Sequence, residues 1–220
     1  MDTDHAEQLR YGEVKVRWYA DRVRGKLPAW AGARPQVNRE VTIRRVDFPR
    51  YVVISPFAAW ESRDWPEMHW RRLAHFIKEA GFEMVVIGTE KEEERIARTF
   101  DKSYAYWAIK KDDTWVDWVT DLMLGAEAVL GLDSGMIHMA GLLGVPAVSI
   151  HAHLPPEFLF ACAPSVRSVA AQTSCTFCRW QEDRGFNEGC NTACSALATV
   201  GPERVMEALK GIGAAGERRP

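Results

Sequence analysis

Short apolar runs alternate along this chain with longer stretches in which apolar positions recur every three or four residues. Tyr51–Ile54 is a run rich in β-branched residues, which is typical of a buried strand. Apolar residues then follow at i, i+3, i+4 and i+7 from Trp70 to Ile77. This spacing predicts an amphipathic helix that ends near Gly81.

The same alternation continues to the end of the chain. Further strands are predicted at Phe82–Ile87, Tyr104–Ile109, Ala128–Leu132 and Pro146–Ile150. Further helices are predicted at Glu90–Phe100, Trp115–Gly125 and Ser134–Leu143, and from Pro202 onward. Strands that alternate with helices at this spacing form a parallel sheet with helices on both faces. The predicted fold is therefore α/β and Rossmann-like.

The pattern also divides the chain. Residues 1–49 are rich in Arg and Lys and are broken by Pro and Gly, so they are predicted to be an N-terminal extension or linker. Residues 50–212 form the predicted Rossmann-like domain, which includes a cysteine-rich finger at 175–194. Residues 213–220 are predicted to be a flexible tail.

Composition narrows the classes of function. The chain has 220 residues, 47% of them apolar, and a formal net charge of −2. A protein that binds nucleic acid through phosphate neutralisation is far more basic. No apolar run approaches the roughly 20 residues that span a bilayer, and the N-terminus has no signal-peptide pattern. We expect a cytoplasmic protein that binds neither nucleic acid nor membrane.

One strand–turn–helix passage carries the strongest functional signal. Asp133 and Ser134 follow a buried strand directly, and Gly135 and His138 lie in the first turns of the next helix. Either Asp133 or Ser134 can cap this helix, and Gly135 lets the backbone approach an anion closely. The helix dipole and its free amides favour phosphate. An ordinary capped helix with a solvated His138 is the alternative.

A second passage lies at the same edge of the predicted sheet. Ser55 ends the first strand, and Arg63 follows in the loop before the next helix. Arginine is suited to bidentate binding of an oxyanion, so Ser55 and Arg63 are candidate phosphate ligands. A surface loop with a solvated Arg63 is the alternative.

Together these motifs resemble glycosyltransferase family 9, the family of ADP-heptose:lipopolysaccharide heptosyltransferases. The matching motifs are Ser55-Pro56, Arg63-Asp64-Trp65-Pro66, Val85-Val86-Ile87-Gly88 and Asp133-Ser134-Gly135-Met136-Ile137-His138-Met139-Ala140. The resemblance covers roughly residues 50–210. It implies the C-terminal, donor-binding half of a GT-B fold, in which two Rossmann-like domains face each other across a cleft.

The resemblance also implies roles. Asp133, Ser134, Gly135 and His138 would surround the diphosphate of a nucleotide-sugar donor such as ADP-heptose, and transfer would need no metal. Arg63 stands where the family usually has a phosphate-binding Lys. About 50 residues cannot form the N-terminal domain that supplies the general base, so the catalytic residues remain unknown. Three explanations are open: a protein partner or a second copy of the chain supplies that half, the sequence is a fragment of a longer protein, or catalysis has been lost.

Four cysteines form two closely spaced pairs, Cys175 with Cys178 and Cys190 with Cys194. Two such pairs within reach of each other are typical of a structural site for zinc, and iron also fits. Two disulfides or four reduced thiols are the alternatives. The remaining candidates, His151 and His153, flank a strand end. Lining the cleft is one alternative for them, and exposed loop positions are the one we expect.

Two functions follow from these observations. The first is a glycosyltransferase half that binds the donor for sugar transfer. The second is a non-catalytic nucleotide-sugar-binding or assembly module. The Asp133–His138 motif favours the enzyme, whereas the missing acceptor domain favours the module. A dehydrogenase is disfavoured because no Gly-x-Gly-x-x-Gly motif follows any predicted strand.

Overall fold

The computed structural model describes residues 50–58, 61–110, 115–160, 163–177 and 194–213. Within these residues, six strands form one parallel sheet. They are β1 (Tyr51–Ser55), β2 (Glu83–Thr89), β3 (Tyr106–Lys110), β4 (Ala128–Leu132), β5 (Ala147–His151) and β6 (Val166–Ala170). Their order across the sheet is β3-β2-β1-β4-β5-β6. All five neighbouring pairs are parallel, as expected when helices connect the strands.

Helices cover both faces of the sheet. They are α1 (Glu67–Glu79), α2 (Glu93–Thr99), α3 (Trp115–Gly125), α4 (Gly135–Leu142), α5 (Pro156–Phe160), α6 (Ser195–Ala198) and α7 (Pro202–Gly213). One apolar core includes buried residues of α1, α2, α6 and α7, and the other includes buried residues of α3, α4 and α5. Each large apolar side chain buried in these cores contributes about 1.5–3 kcal/mol to folding.

The loop that follows β1 is tied to the far end of the chain. Trp65 is buried, and its indole N–H donates a hydrogen bond of 2.8 Å to the carbonyl of Val200, 135 residues further on. The Trp65 ring also packs edge-on against Trp70 of α1, with ring centroids 4.8 Å apart. These contacts place the residues between β1 and α1 at the carboxyl edge of the sheet.

The structure confirms the predicted parallel α/β sheet and every strand and helix predicted from Tyr51 onward, with bounds that shift by a few residues. The sequence pattern did not predict β6, an edge strand in which only Val169 is fully buried. It also did not predict α5 or α6. The extension 1–49 and tail residues 214–220 lie outside the described residues. No helix in the described part of the chain is long and apolar enough to cross a membrane.

Candidate functional site

The predicted site residues meet where the direction of chain winding changes. β1 and β4 are neighbours at the centre of the sheet, although β2 and β3 lie between them in the chain. The connections that leave these two strands diverge, and open α/β sheets bind ligands in the crevice that forms there. Ser55 ends β1 and pairs with Gly131, whereas Asp133 directly follows β4. The expected proximity of the two motifs is therefore confirmed.

Asp133 and His138 form a bonded pair across the first turn of α4. Their Oδ1 and Nε2 atoms are 3.2 Å apart, and the side chains are 16% and 42% exposed respectively. Burial raises the pKa of Asp133, but the His138 hydrogen bond and the charges of His138, His151 and Arg63 lower that pKa below its ordinary value. Asp133 is therefore an anion at neutral pH. Its contact with Nε2 holds the half-exposed imidazole of His138 in place.

Ser134 and Gly135 form the turn between β4 and α4. Ser134 is the N-cap residue in an extended conformation, but its side chain makes no capping hydrogen bond. The expected side-chain cap by Asp133 or Ser134 is therefore wrong, because Asp133 binds His138 instead. The Ser134 hydroxyl oxygen is buried and has no partner among the described residues. The first amides of an α-helix also have no intrahelical partner, so this turn presents several unsatisfied donors.

Arg63 ends a single 3-10 turn in the loop that follows β1. Its side chain is partly buried, and its positive charge contributes to the lowered pKa of Asp133. Arg63 therefore lies on the same edge as the Asp133 turn, although the two are 70 residues apart in sequence. A cation and a helix N-terminus on one edge are the components of an anion site.

Asp64, the next residue, has a structural role. Its Oδ1 accepts a hydrogen bond of 2.8 Å from the backbone N–H of Ala58, and its Oδ2 binds the guanidinium of Arg95 on α2. That guanidinium also lies 4.0 Å from the ring centroid of Phe57. These contacts hold both ends of the loop in which Arg63 lies.

Ser55 is buried at the carboxyl end of β1. A methyl group added at the paired Gly131 would lie 2.8 Å from the Ser55 carbonyl oxygen, so the two strands are closely packed here. A ligand contact by the Ser55 hydroxyl stays a prediction.

His151 was expected to be exposed, and that expectation is wrong. β5 extends one residue beyond the predicted end, so His151 is its last residue and is only 1% exposed. Its Nδ1 lies 3.0 Å from the carbonyl of Leu154, whereas its Nε2 is buried without a partner among the described residues. Burial lowers the pKa of His151, and this outweighs the opposing effects of the Leu154 carbonyl, Asp133 and Glu157. The sequence carried no clear signal for this, because the apolar run ends at Ile150 and all five residues of β5 are buried without alternation.

The cysteines lie only partly within the described residues. Cys175 and Cys194 are free thiols that pack against the core, whereas Cys178 and Cys190 lie outside the described residues. In the described part of the chain, no three His, Cys, Asp or Glu residues come together as a metal site.

Backbone hydrogen bonds fix both ends of the cysteine segment, residues 175–194, at the carboxyl edge of the sheet. The Phe177 N–H bonds the carbonyl of Ala152, and the Cys194 N–H bonds that of Ser62. Both ends of the segment are therefore fixed to loops at this edge. Thiolates from two pairs would suit a tetrahedral metal site.

A six-stranded parallel sheet with this strand order and with helices on both faces defines a Rossmann-like α/β domain. Residues 31–186 match the model of "Glycosyltransferase family 9 (heptosyltransferase)", and the chain belongs to this family.

Individual relatives agree with this family. Over 176 residues the chain is 25% identical to lipopolysaccharide heptosyltransferase 1 of Pseudomonas aeruginosa, which covers 74% of this chain and 48% of the relative. It is similar in fold to the Escherichia coli heptosyltransferase WaaC with ADP, with a TM-score of 0.58, 20% identity and coverage of 76% and 46% of the two chains. It is also similar to the dodecameric iron-containing heptosyltransferase TibC in complex with ADP-D-β-D-heptose, with a TM-score of 0.60, 16% identity and coverage of 80% and 49%.

The chain spans about half the length of the curated relatives it matches. The comparisons therefore establish its family and fold.

Proposed function

We propose that this chain is the donor-binding half of a heptosyltransferase-like glycosyltransferase. The observation that carries the proposal is the convergence of Arg63 with the Asp133–His138 pair and the open Ser134-Gly135 turn at the centre of the sheet edge. A nucleotide-diphosphate sugar such as ADP-heptose fits this chemistry, because its diphosphate needs cationic and N–H donors. Relatives in the same family that were solved with ADP and with ADP-D-β-D-heptose support this ligand class.

The arrangement suits the departure of a nucleoside diphosphate. In an inverting displacement, an acceptor hydroxyl attacks the anomeric carbon while the bond to the diphosphate oxygen breaks. The electron pair of that bond goes to the diphosphate. Helix amides, Arg63 and the His138 imidazole stabilise the charge that develops there, without a metal ion. The proton of the acceptor passes to a base that we do not assign among the described residues.

The first experiment is calorimetric titration of the purified chain with ADP, GDP, UDP and ADP-heptose. We expect saturable binding of one of them. Arg63→Ala and His138→Ala should each weaken the Kd about ten-fold or more, since each removes a charge-assisted contact. Arg71→Ala is the matched control, because Arg71 is exposed on α1 and bonds a helix carbonyl.

Unchanged dissociation constants for both site variants would overturn the assignment of this edge. A folded chain that binds none of the four nucleotides would favour the alternative of a non-catalytic assembly module.

We also propose that Cys175, Cys178, Cys190 and Cys194 hold one structural zinc or iron ion. The spacing of the two pairs and the anchoring of the segment's ends support this, as does the iron-containing family member TibC. The ion would fix the segment between the pairs and take no part in transfer.

Elemental analysis should find about one zinc or iron per chain. Cys175→Ser should lower both the metal content and the melting temperature, because it removes one of four ligands. Cys162→Ser is the control, since Cys162 stands outside the two pairs. Metal-free protein of unchanged stability would contradict the proposal and favour reduced thiols or disulfides.

The remaining partners follow from the same proposal. A protein partner or a second copy of the chain that contributes an acceptor-binding half belongs to this proposal. Both this assembly and a cytoplasmic location stay predictions.

A further inference from the structure

A buried nitrogen at the carboxyl edge of the sheet has no hydrogen-bond partner within the described ranges. His151 ends β5, and its Nε2 makes no hydrogen bond with any described residue. Leaving a buried acceptor unsatisfied costs about 1–3 kcal/mol. Such a group in a native protein therefore indicates a partner beyond the described residues, such as ordered water or a ligand.

His151 lies at the same carboxyl edge of the sheet as the proposed diphosphate site. Leu132 of β4 pairs with Ile150 of β5, so Asp133 and His151 are the next residues along two adjacent strands. The Phe160 ring contacts both imidazoles, with centroids 5.1 Å from His138 and 6.2 Å from His151. His151, Asp133 and His138 are thus grouped around one aromatic ring.

The hydrogen bonding of the ring determines what Nε2 can bind. A carbonyl oxygen accepts only, so the 3.0 Å contact with Leu154 requires the proton on Nδ1. Burial favours the neutral ring, in which Nε2 then carries a lone pair and no proton. Its partner must be a hydrogen-bond donor. An ionised diphosphate has no proton to donate, whereas the hydroxyl groups of a sugar do.

Phe177 packs against His151 and is partly exposed. The Phe177 ring centroid lies 6.4 Å from that of His151, and Phe177 has a left-handed backbone with φ of 62°. It is the last described residue before Cys178.

We propose that His151 binds the nucleotide-sugar donor by accepting a hydrogen bond at Nε2 from a sugar hydroxyl. The hydroxyl belongs either to the ribose or to the transferred sugar. This inference rests on the proposed function, because it takes the Asp133 edge as the donor site. In this proposal His151 determines specificity for the sugar. Arg63 and the N-terminus of α4 bind the diphosphate.

The test is calorimetric titration of wild type, His151→Phe and His151→Gln with ADP and with ADP-heptose. Phenylalanine keeps a planar ring among the aromatic neighbours but has no acceptor, so binding should weaken about ten-fold. Glutamine offers an amide oxygen near the same place and should recover part of the loss. His75→Gln, on the exposed side of α1, is the control. Circular dichroism checks folding, and His151→Leu, which also lacks an acceptor, replaces the phenylalanine variant in the test if that variant does not fold.

The pattern of losses identifies the hydroxyl. Equal weakening for ADP and ADP-heptose assigns the ribose, whereas a loss confined to ADP-heptose assigns the transferred sugar. Unchanged Kd values for both variants, with normal binding by wild type, overturn the inference and leave the proposed function intact. Failure of wild type to bind either nucleotide overturns both.

Discussion

Asp133 and His151 lie at the ends of adjacent strands, and burial opposes charge on both. Asp133 nevertheless stays ionised, because the His138 bond and nearby positive charges outweigh the cost of burial. His151 has a neutral ring, since burial outweighs the attraction of Asp133 and Glu157. The carboxyl edge of the sheet therefore combines the negative charge of Asp133 with the neutral acceptor nitrogen of His151. The two residues differ in charge because their surroundings differ.

The lowered pKa of His151 predicts how stability depends on pH. The unfolded chain binds the proton at the ordinary value of 6.5, whereas the folded chain binds it only at lower pH. This contribution to stability is full above 6.5 and is lost as the pH falls toward the folded pKa. Between about pH 7 and 5 the loss should reach at most about 1.4 kcal/mol per pH unit.

Urea denaturation at several pH values measures this effect. His151→Gln should lose less stability than wild type over that range, and His75→Gln should follow wild type. Asp133 does not contribute to the change between pH 7 and 5. Its pKa is lowered, so the stability that it provides is lost only as the pH falls below the ordinary value of 3.8. A His151→Gln protein with the wild-type pH dependence would show that the histidine is not held neutral.

At the scale of elements, two glycines four residues apart have different tasks. Gly131 lies in β4, where a methyl group would be 2.8 Å from the Ser55 carbonyl oxygen and 3.2 Å from Cδ1 of Ile137. Gly135 begins α4, and a methyl group there would meet no atom within 4 Å. The first glycine is needed for packing between elements. The second leaves the helix N-terminus open.

Gly131→Ala should therefore destabilise the protein by about 1–3 kcal/mol, because β1 and α4 must move to accommodate the methyl group. Gly135→Ala should leave the melting temperature nearly unchanged and weaken nucleotide binding, since the methyl group would occupy the open side of the turn. Thermal unfolding and titration with ADP separate the two effects. Equal destabilisation by both variants would contradict this division.

At the scale of the whole molecule, the site depends on contacts between the two ends of the domain. Trp65, beside Arg63, donates its indole hydrogen bond to Val200, just before α7. Trp70 is equally buried, but its indole N–H has no partner among the described residues. Comparing the two tryptophans therefore measures what the hydrogen bond between Trp65 and Val200 contributes to the free energy of unfolding.

Trp65→Phe should cost about 1–3 kcal/mol more than Trp70→Phe, because only the first change leaves a buried carbonyl without its donor. Chemical denaturation measures both. Since Trp65 fixes the loop that contains Arg63, its variant should also weaken binding of ADP. Equal losses of stability in the two variants would mean that ring volume alone matters.

The apolar pattern from Tyr51 to Ile150 was sufficient to predict the central strands and their helices, since a buried parallel strand is apolar on both faces. β6 was missed because an edge strand exposes alternate residues, so Arg167 and Ser168 break the apolar run. The predicted cap by Ser134 failed for another reason. Residue type indicates that a hydroxyl can cap a helix, but not which neighbour it meets.

The sequence by itself determined the fold class, the family and the positions of the Asp133 and Arg63 motifs, because these depend on periodicity and local residue order. Tertiary structure alone decided that Asp133 binds His138 and that Asp64 secures the loop beside Arg63. It also decided that His151 is buried, with one nitrogen that has no partner in the described part of the chain. The physical reason is that burial and hydrogen bonding depend on residues brought together by the sheet, whose order differs from that of the chain.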